Sequence, residues 1–309
     1  MTHTDAPRSP QTSAASIDAI PLRHPWRWVG AGAILVLAAL FVYGAATNPA
    51  YGWPTYLKYL FDERVSQAAW NTLQLTIYSM AIGLGLGVIL AVMRLSPNPV
   101  FGAVAWVYLW IFRGTPVYVQ LVFWGLFPSI YQNIRLGVPF GPTFFQLNLQ
   151  GMSIAFVLAF VGLGLNEAAY MAEIIRAGIS SVPEGQTEAS TALGMSWWMT
   201  MRRTILPQAM RVIIPPTGNE LISMLKTTSL VTAVPYTLEL YTRTRDISAV
   251  IFQPIPLLLV AATWYLVITS VLMVGQFYLE RYFSRGASRK LTAKQLDALA
   301  RAQLGEGHL

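Results

Sequence analysis

Residues 256–279 read PLLLVAATWYLVITSVLMVGQFYL, a run of 24 without a single Asp, Glu, Lys or Arg. An α-helix rises about 1.5 Å per residue, so crossing about 30 Å of hydrocarbon takes about 20 apolar residues. Five further spans of this kind precede it, at 28–46, 69–92, 102–127, 151–175 and 208–235. The third is interrupted by Arg113-Gly114-Thr115-Pro116, and the fifth carries Pro215-Pro216. The pattern predicts an all-α membrane protein with about six transmembrane helices. Composition agrees: 11% of the 309 residues are charged, against about 25% in soluble domains, 54% are hydrophobic, and the mean hydropathy is +0.48. Such a chain is neither disordered nor a collagen-like rod.

The 21 Lys and Arg orient the spans, because basic residues collect on the cytoplasmic side. With the N-terminus inside, thirteen are cytoplasmic: Arg8, Arg23, Arg27, Arg94, Arg176, Arg202, Arg203, Arg281, Arg285, Arg289, Lys290, Lys294 and Arg301. Five are outside, at Lys58, Arg64, Arg135, Arg243 and Arg245, and Arg113, Arg211 and Lys226 lie within or beside spans. The N-in, C-in arrangement follows. The net charge of +7 is then an orientation signal, and no nucleic-acid partner is expected. The long polar lead-in and the length of the first span speak against a cleaved secretory signal.

Several chemistries lack their residues. There is no Cys, and the three His are His3, His24 and His308, all in the tails, so no His triad and no thiolate or His metal site is available in the core. None of the four Lys follows a Gly, which excludes a P-loop, and neither HExxH nor GxSxG occurs. A membrane enzyme therefore has no visible machinery. Gly83, Gly85 and Gly87, like Gly162 and Gly164, sit inside apolar spans and read as small residues that let helices approach closely.

Ionisable residues at membrane depth cost roughly 2.5–3.5 kcal/mol each on insertion scales. Arg113 and Glu173 lie near span ends, where side chains snorkel. Asn166, Glu167, Asn219, Glu220 and Lys226 are the candidates for a polar pathway, the carboxylates suited to an ammonium and the Lys to a carboxylate. Asn71-Thr72-Leu73-Gln74-Leu75-Thr76 either caps the start of the second span or faces the same pathway.

The inside loop, about 177–206, reads as two short helices. Val182-Pro183-Glu184-Gly185 opens the first and Gly194 stops it, as a C-terminal Gly commonly does. Ser196 caps the second, and Pro207 falls in the first turn of the next span. Helices this short are marginal in water and need a surface. Two surfaces fit: the membrane face, held by Trp197 and Trp198, or a cytoplasmic partner.

Glu188-Ala189-Ser190, three residues, Gly194 and then Leu206-Pro207 resemble the EAA loop of binding-protein-dependent ABC importer permeases. Ser190 replaces the last Ala of that pattern, and Thr204 its Ile. Asn71-Thr72-Leu73-Gln74-Leu75-Thr76, Arg113-Gly114-Thr115-Pro116-Val117-Tyr118-Val119-Gln120, the segment 169–178, Leu206-Pro207-Gln208-Ala209, Asn219-Glu220 and 226–230 resemble the polar amino-acid (histidine, glutamine, glutamate) subfamily.

The resemblance covers about 67–284 and implies a five-helix permease core there. Residues 1–27 are then a flexible cytoplasmic tail, 28–66 an additional helix with an outer loop, and 285–309 a cytoplasmic C-terminal tail. It further implies a multi-pass subunit of the cell (inner) membrane, surrounded by lipid, that pairs with an identical or different permease. A substrate-binding protein docks outside, with residues 128–150 a candidate surface. Glu188, Ala189, Ser190 and Gly194 couple to cytosolic ATPase subunits. Those subunits hold ATP and Mg; this chain binds no cofactor or metal and is not itself an enzyme. The alternative reading is an ion-coupled secondary amino-acid transporter that uses Glu167, Glu220 and Lys226 as a relay.

Overall fold

The structure, a computed structural model, describes residues 25–138 and 142–283. The expected tails 1–27 (up to residue 24) and 285–309 lie outside these residues. So do His3, His24 and His308, and seven of the cytoplasmic basic residues: Arg8, Arg23, Arg285, Arg289, Lys290, Lys294 and Arg301.

The chain divides into two units, 1–51 and 52–309. The described part of the first holds helix α1, Pro25–Thr47, whose apolar stretch Trp26–Thr47 is long enough to cross a membrane. The second unit begins with α2 (Trp53–Leu60) and α3 (Glu63–Leu95), followed by α4 (Pro99–Gly114) and α5 (Val117–Ile130). A two-stranded antiparallel hairpin, β1 (Asn133–Gly137) and β2 (Thr143–Asn148), leads to α6 (Met152–Ser180). Two short helices, α7 (Glu184–Ala192) and α8 (Trp197–Thr200), and a π-helical turn, Met201–Ile205, run into α9 (Leu206–Thr227). A 3₁₀ turn (Thr228–Ala233), α10 (Leu240–Ile251) and α11 (Pro254–Phe283) complete it.

Among the described residues, four helices qualify as membrane spans by length and composition: α1, α3, α6 and α11. The expected third span is α4 and α5 together, bent by 101° at the break. The expected fifth span, 208–235, is not one apolar helix. It divides into α9 and the 3₁₀ turn, and α9, which carries Arg211, Glu220 and Lys226, does not qualify on composition. Helices α2 and α10 and the hairpin lie in segments read from sequence as loops.

The second span begins earlier than its apolar pattern suggests. Asp62 caps α3, its carboxylate accepting from Arg64 N at 3.0 Å. The Arg64 guanidinium bonds both carboxylate oxygens and holds this carboxyl below the usual carboxylate range. Asn71 and Thr72 are thus in the third turn, neither capping the helix nor lining the cavity described below. They grip a segment 167 residues away: Asn71 Nδ2 donates to Leu238 O at 3.1 Å, and Leu240 N donates to the Thr72 hydroxyl at 3.0 Å.

Between those two bonds sits Glu239, fully buried. Its carboxylate accepts from Thr242 N (2.9 Å), the Thr242 hydroxyl (3.1 Å) and the Tyr265 hydroxyl of α11. These neutral donors let a carboxyl tie α10 and α11 together away from water, beside the two bonds from α3.

Glycines set the closest helix contact, between α3 and α6. A Cβ on Gly87 would stand 2.6 Å from Met171 Cβ, and one on Gly164 2.7 Å from Ile82 Cβ. Gly162 is packed as tightly on Trp124 of α5. The reading of these glycines as packing residues therefore holds, except for Gly85, whose Cβ would meet nothing.

Replacing Glu239 by Ala leaves the Thr242 amide and the Tyr265 hydroxyl buried without an acceptor, each worth ~1–3 kcal/mol. Thermal unfolding of the purified protein in detergent is expected to show a clear loss for Glu239→Ala and a smaller one for Glu239→Gln, which keeps a carbonyl acceptor. Equal melting of all three proteins contradicts this clamp.

Candidate functional site

The break between α4 and α5 follows from Pro116. Proline has no N–H, so the carbonyl of Phe112, four residues earlier, loses its helical donor. Two side-chain amides replace it: Gln120 Nε2 and Asn166 Nδ2 each donate to Phe112 O at 3.0 Å. Gln120 also donates to the Thr115 hydroxyl (2.7 Å), and Asn166 to Gln120 Oε1 (3.0 Å). The chain can therefore turn sharply in the middle of the fold without stranding a polar group.

A cavity of about 610 Å³ opens at this turn. That is within the ~300–1,000 Å³ usual for small-molecule sites. Arg113 to Val117 form one wall, Leu163, Asn166, Glu167 and Tyr170 of mid-α6 another, and Glu220, Ser223, Met224 and Thr227 of α9 the third. Two carboxylates thus share the cavity with one guanidinium, and Arg113 lies over the Tyr170 ring at 5.5 Å. Glu167 is 4% exposed, and its Oε1 is buried without a hydrogen-bond partner. Gly83 of α3 seats it from behind, since a Cβ there would stand 2.6 Å from Glu167 Cγ.

Of the residues picked from sequence for a polar pathway, Asn166, Glu167 and Glu220 line this cavity, and Asn219 and Lys226 do not. Both are exposed, and with Ser223 they follow one face of α9 at a spacing of four and three residues. Asn166 has both amide hydrogens engaged at the Phe112 break, so it first holds the turn. Arg113, read as a snorkelling end residue, stands where Lys226 was expected to supply positive charge. Glu173 pairs with Arg176 on its own helix at 2.5 Å. Gln120 was missed as a site residue; its signal is a buried amide four residues after a proline that breaks an apolar span.

The second cluster surrounds α7 and α8. Gly194, at φ +73°, closes α7: its N–H bonds Thr191 O (2.9 Å), and Met195 N bonds Ser190 O (3.1 Å). This paired pattern is the Schellman motif, which needs a residue free to adopt a left-handed backbone. Ser196 caps α8 by accepting from Met199 N at 3.4 Å. Glu188, Ala189, Leu193, Trp197 and Trp198 are exposed, Leu193 by 81%. Ser190 is instead buried, its hydroxyl 3.0 Å from that of Thr204 and donating to Gln186 O at 2.8 Å. The two positions that depart from the EAA pattern are thus bonded to each other. No group of His, Cys, Asp and Glu able to hold a metal occurs among the described residues.

Comparison with known proteins gives this architecture a family. The family described as binding-protein-dependent transport system inner membrane component matches residues 83–285. The chain is 63% identical over 304 residues to the arginine transport system permease protein ArgU of Corynebacterium glutamicum, covering 97% of this chain and 94% of that one. It is 38% identical over 205 residues to the histidine/lysine/arginine/ornithine transport system permease protein HisM of Escherichia coli, covering 65% of this chain and 81% of that one. The crystal structure of an amino acid ABC transporter with histidines superimposes with a TM-score of 0.62 at 31% identity, over 74% of this chain and 97% of that chain. The chain belongs to this family: it is an inner-membrane permease component of a binding-protein-dependent transport system.

Gly83 and Gly85 provide a paired test of the cavity. Gly83→Ala pushes on Glu167, whereas Gly85→Ala meets open space and adds helix propensity worth roughly 0.5–1 kcal/mol. Substrate uptake is expected to fall about tenfold for Gly83→Ala, since small misplacements in a site are costly, and to stay at the wild-type level for Gly85→Ala. Equal uptake by both variants contradicts the placement of Glu167 in the site.

Proposed function

We propose that this chain is the permease subunit of an ATP-driven ABC importer for polar amino acids, and that its substrates carry a cationic side chain. The observation that carries the reading is the cavity at the Pro116 break, with Glu167 and Glu220 beside Arg113. Two carboxylates suit an ammonium or guanidinium group, and a guanidinium suits the carboxylate of a free amino acid through paired hydrogen bonds. The 63% identity to an arginine permease across nearly the whole chain supports the same substrate class.

ATP and Mg belong on partner ATPase subunits in the cytosol. The exposed side of α7 and α8, with Glu188, Ala189 and Leu193, is the surface that docks on them, and Gly194 shapes it. Ser190 acts from within, holding α7 to the π-helical turn through Thr204. The chain lies N-in and C-in, which puts α7 and α8 on the ATPase side and the β1–β2 hairpin outside. The segment 128–150 containing that hairpin receives the substrate-binding protein. A second permease subunit, identical or different, covers the exposed polar residues Asn219 and Lys226, which lipid would penalise.

ATP binding draws two coupling loops together and rocks the spans, so that the cavity alternates between faces. The bias between the two states comes from differential ATP affinity on the partner subunits.

The test is the reconstituted complex with its ATPase and binding protein, supplied with arginine. Gly194→Trp forces a bulky residue into a left-handed turn and is expected to abolish stimulation of ATP hydrolysis by loaded binding protein. Glu167→Gln and Glu220→Gln each remove a charge-assisted contact worth ~1.5–3 kcal/mol, about a tenfold loss of uptake or more. Wild-type behaviour of all three variants overturns the assignment.

A further inference from the structure

Helix α9 links the two clusters on the C-terminal side of α7 and α8, as α6 does on the N-terminal side. It begins at Leu206, directly after the π-helical turn Met201–Ile205, and its last two turns place Glu220, Met224 and Thr227 on the cavity. Both ends of its first half are deformable. A π-helical turn departs from the α-helical ladder and recurs at functional sites. At the other end, Pro215 and Pro216 have no N–H, so the carbonyls of Arg211 and Val212 lose their helical donors. Residues 206–214 are therefore a stiff segment between two joints.

The second joint is held from outside the helix by Gln276 of α11. This amide lies in an apolar span yet is only 8% exposed. Its Nε2 donates to the carbonyl of Pro215 at 2.8 Å and to Glu280 Oε1 at 2.8 Å. It reaches Pro215 through a notch at Gly218, where any Cβ would collide with the Gln276 amide. A buried amide costs free energy unless its bonds are made. Here both amide hydrogens have acceptors, one of them at the joint itself. On the opposite side, Gly178 of α6 gives Ile213 room to pack against the segment just before the prolines.

We propose that Gln276 is a positioning residue for transport: it fixes α9 at the Pro215-Pro216 joint, so that displacement at the α7–α8 cluster reaches Glu220, Met224 and Thr227. The inference rests on the importer reading above and adds to it the path by which the loop and the cavity are linked. Without the Gln276 contact, the joint absorbs the motion and ATP is hydrolysed without matching transport.

The experiment uses the full chain in complex with its ATPase and arginine-loaded binding protein, and reads arginine transported per ATP hydrolysed. Gln276→Met keeps the length and removes the donor; Gly218→Ala displaces the amide without altering it. Each is expected to assemble in normal amounts, to keep basal ATP hydrolysis and to lower the ratio about fivefold, the equivalent of one hydrogen bond. A purely structural role lowers uptake and hydrolysis in proportion and leaves the ratio fixed. A ratio unchanged in the variants that assemble, or failure of both to assemble, overturns the role of Gln276. A wild-type complex without ATP-driven uptake overturns the importer reading and this one with it.

Discussion

Pro116 has no N–H to donate, and the Phe112 carbonyl it abandons lies in the middle of a membrane-spanning protein, where water is not at hand to bond it. Everything around the cavity depends on how that carbonyl is satisfied. Gln120 reaches back from the first turn of α5, and Asn166 reaches across from α6, each at 3.0 Å. With the carbonyl paired, α4 and α5 can diverge by 101° and leave a cavity instead of a continuous helix. The same two amides fix α6 against the break, which brings Glu167 to the cavity wall. A polar site inside an apolar fold is thus built from a helix defect and two side chains that repair it.

Side-chain amides hold the backbone elsewhere too. Beside Pro215-Pro216, Gln276 bonds the Pro215 carbonyl, and Gly218 makes room for it. At the Leu238–Leu240 turn, Asn71 and Thr72 satisfy backbone groups from α3, and Glu239 gathers the neighbouring donors. Apolar packing between α3 and α6 through Gly87 and Gly164 supplies a rigid wall against which these polar contacts keep their geometry. The polar residues of this chain are few, and most of those inside the fold mark places where a helix is broken, capped or clamped.

Much of this was legible in the sequence. The apolar spans at 28–46, 69–92, 151–175 and 256–279 appear as α1, α3, α6 and α11, because length and apolar content suffice to define a membrane helix. The turn at Gly194 and the cap at Ser196 were also legible, since both are local chemistry between residues a few positions apart. What escaped was long-range. Nothing in Asn71-Thr72 announces a partner 167 residues away, and nothing in the sequence around Glu239 shows that Tyr265 will meet it. The sequence offers Lys226 as a counter-charge for the pathway, but the helical period turns it away from the face that carries Glu220 and Thr227. Arg113, dismissed as an end residue, is brought into the cavity by a bend whose angle the sequence does not state. The fifth span was overestimated because apolar residues continue past Thr227 although the α-helix does not.

We propose that this permease moves its substrate with energy supplied by ATP on partner chains rather than by an ion gradient through its own carboxylates. The most direct measurement is arginine uptake into proteoliposomes holding the complete complex and binding protein, with ATP withdrawn while the ion gradient is kept. Uptake is expected to stop, and to return when ATP is restored. Uptake that persists without ATP and collapses with the gradient would contradict it, and would assign Glu167 and Glu220 to ion coupling instead.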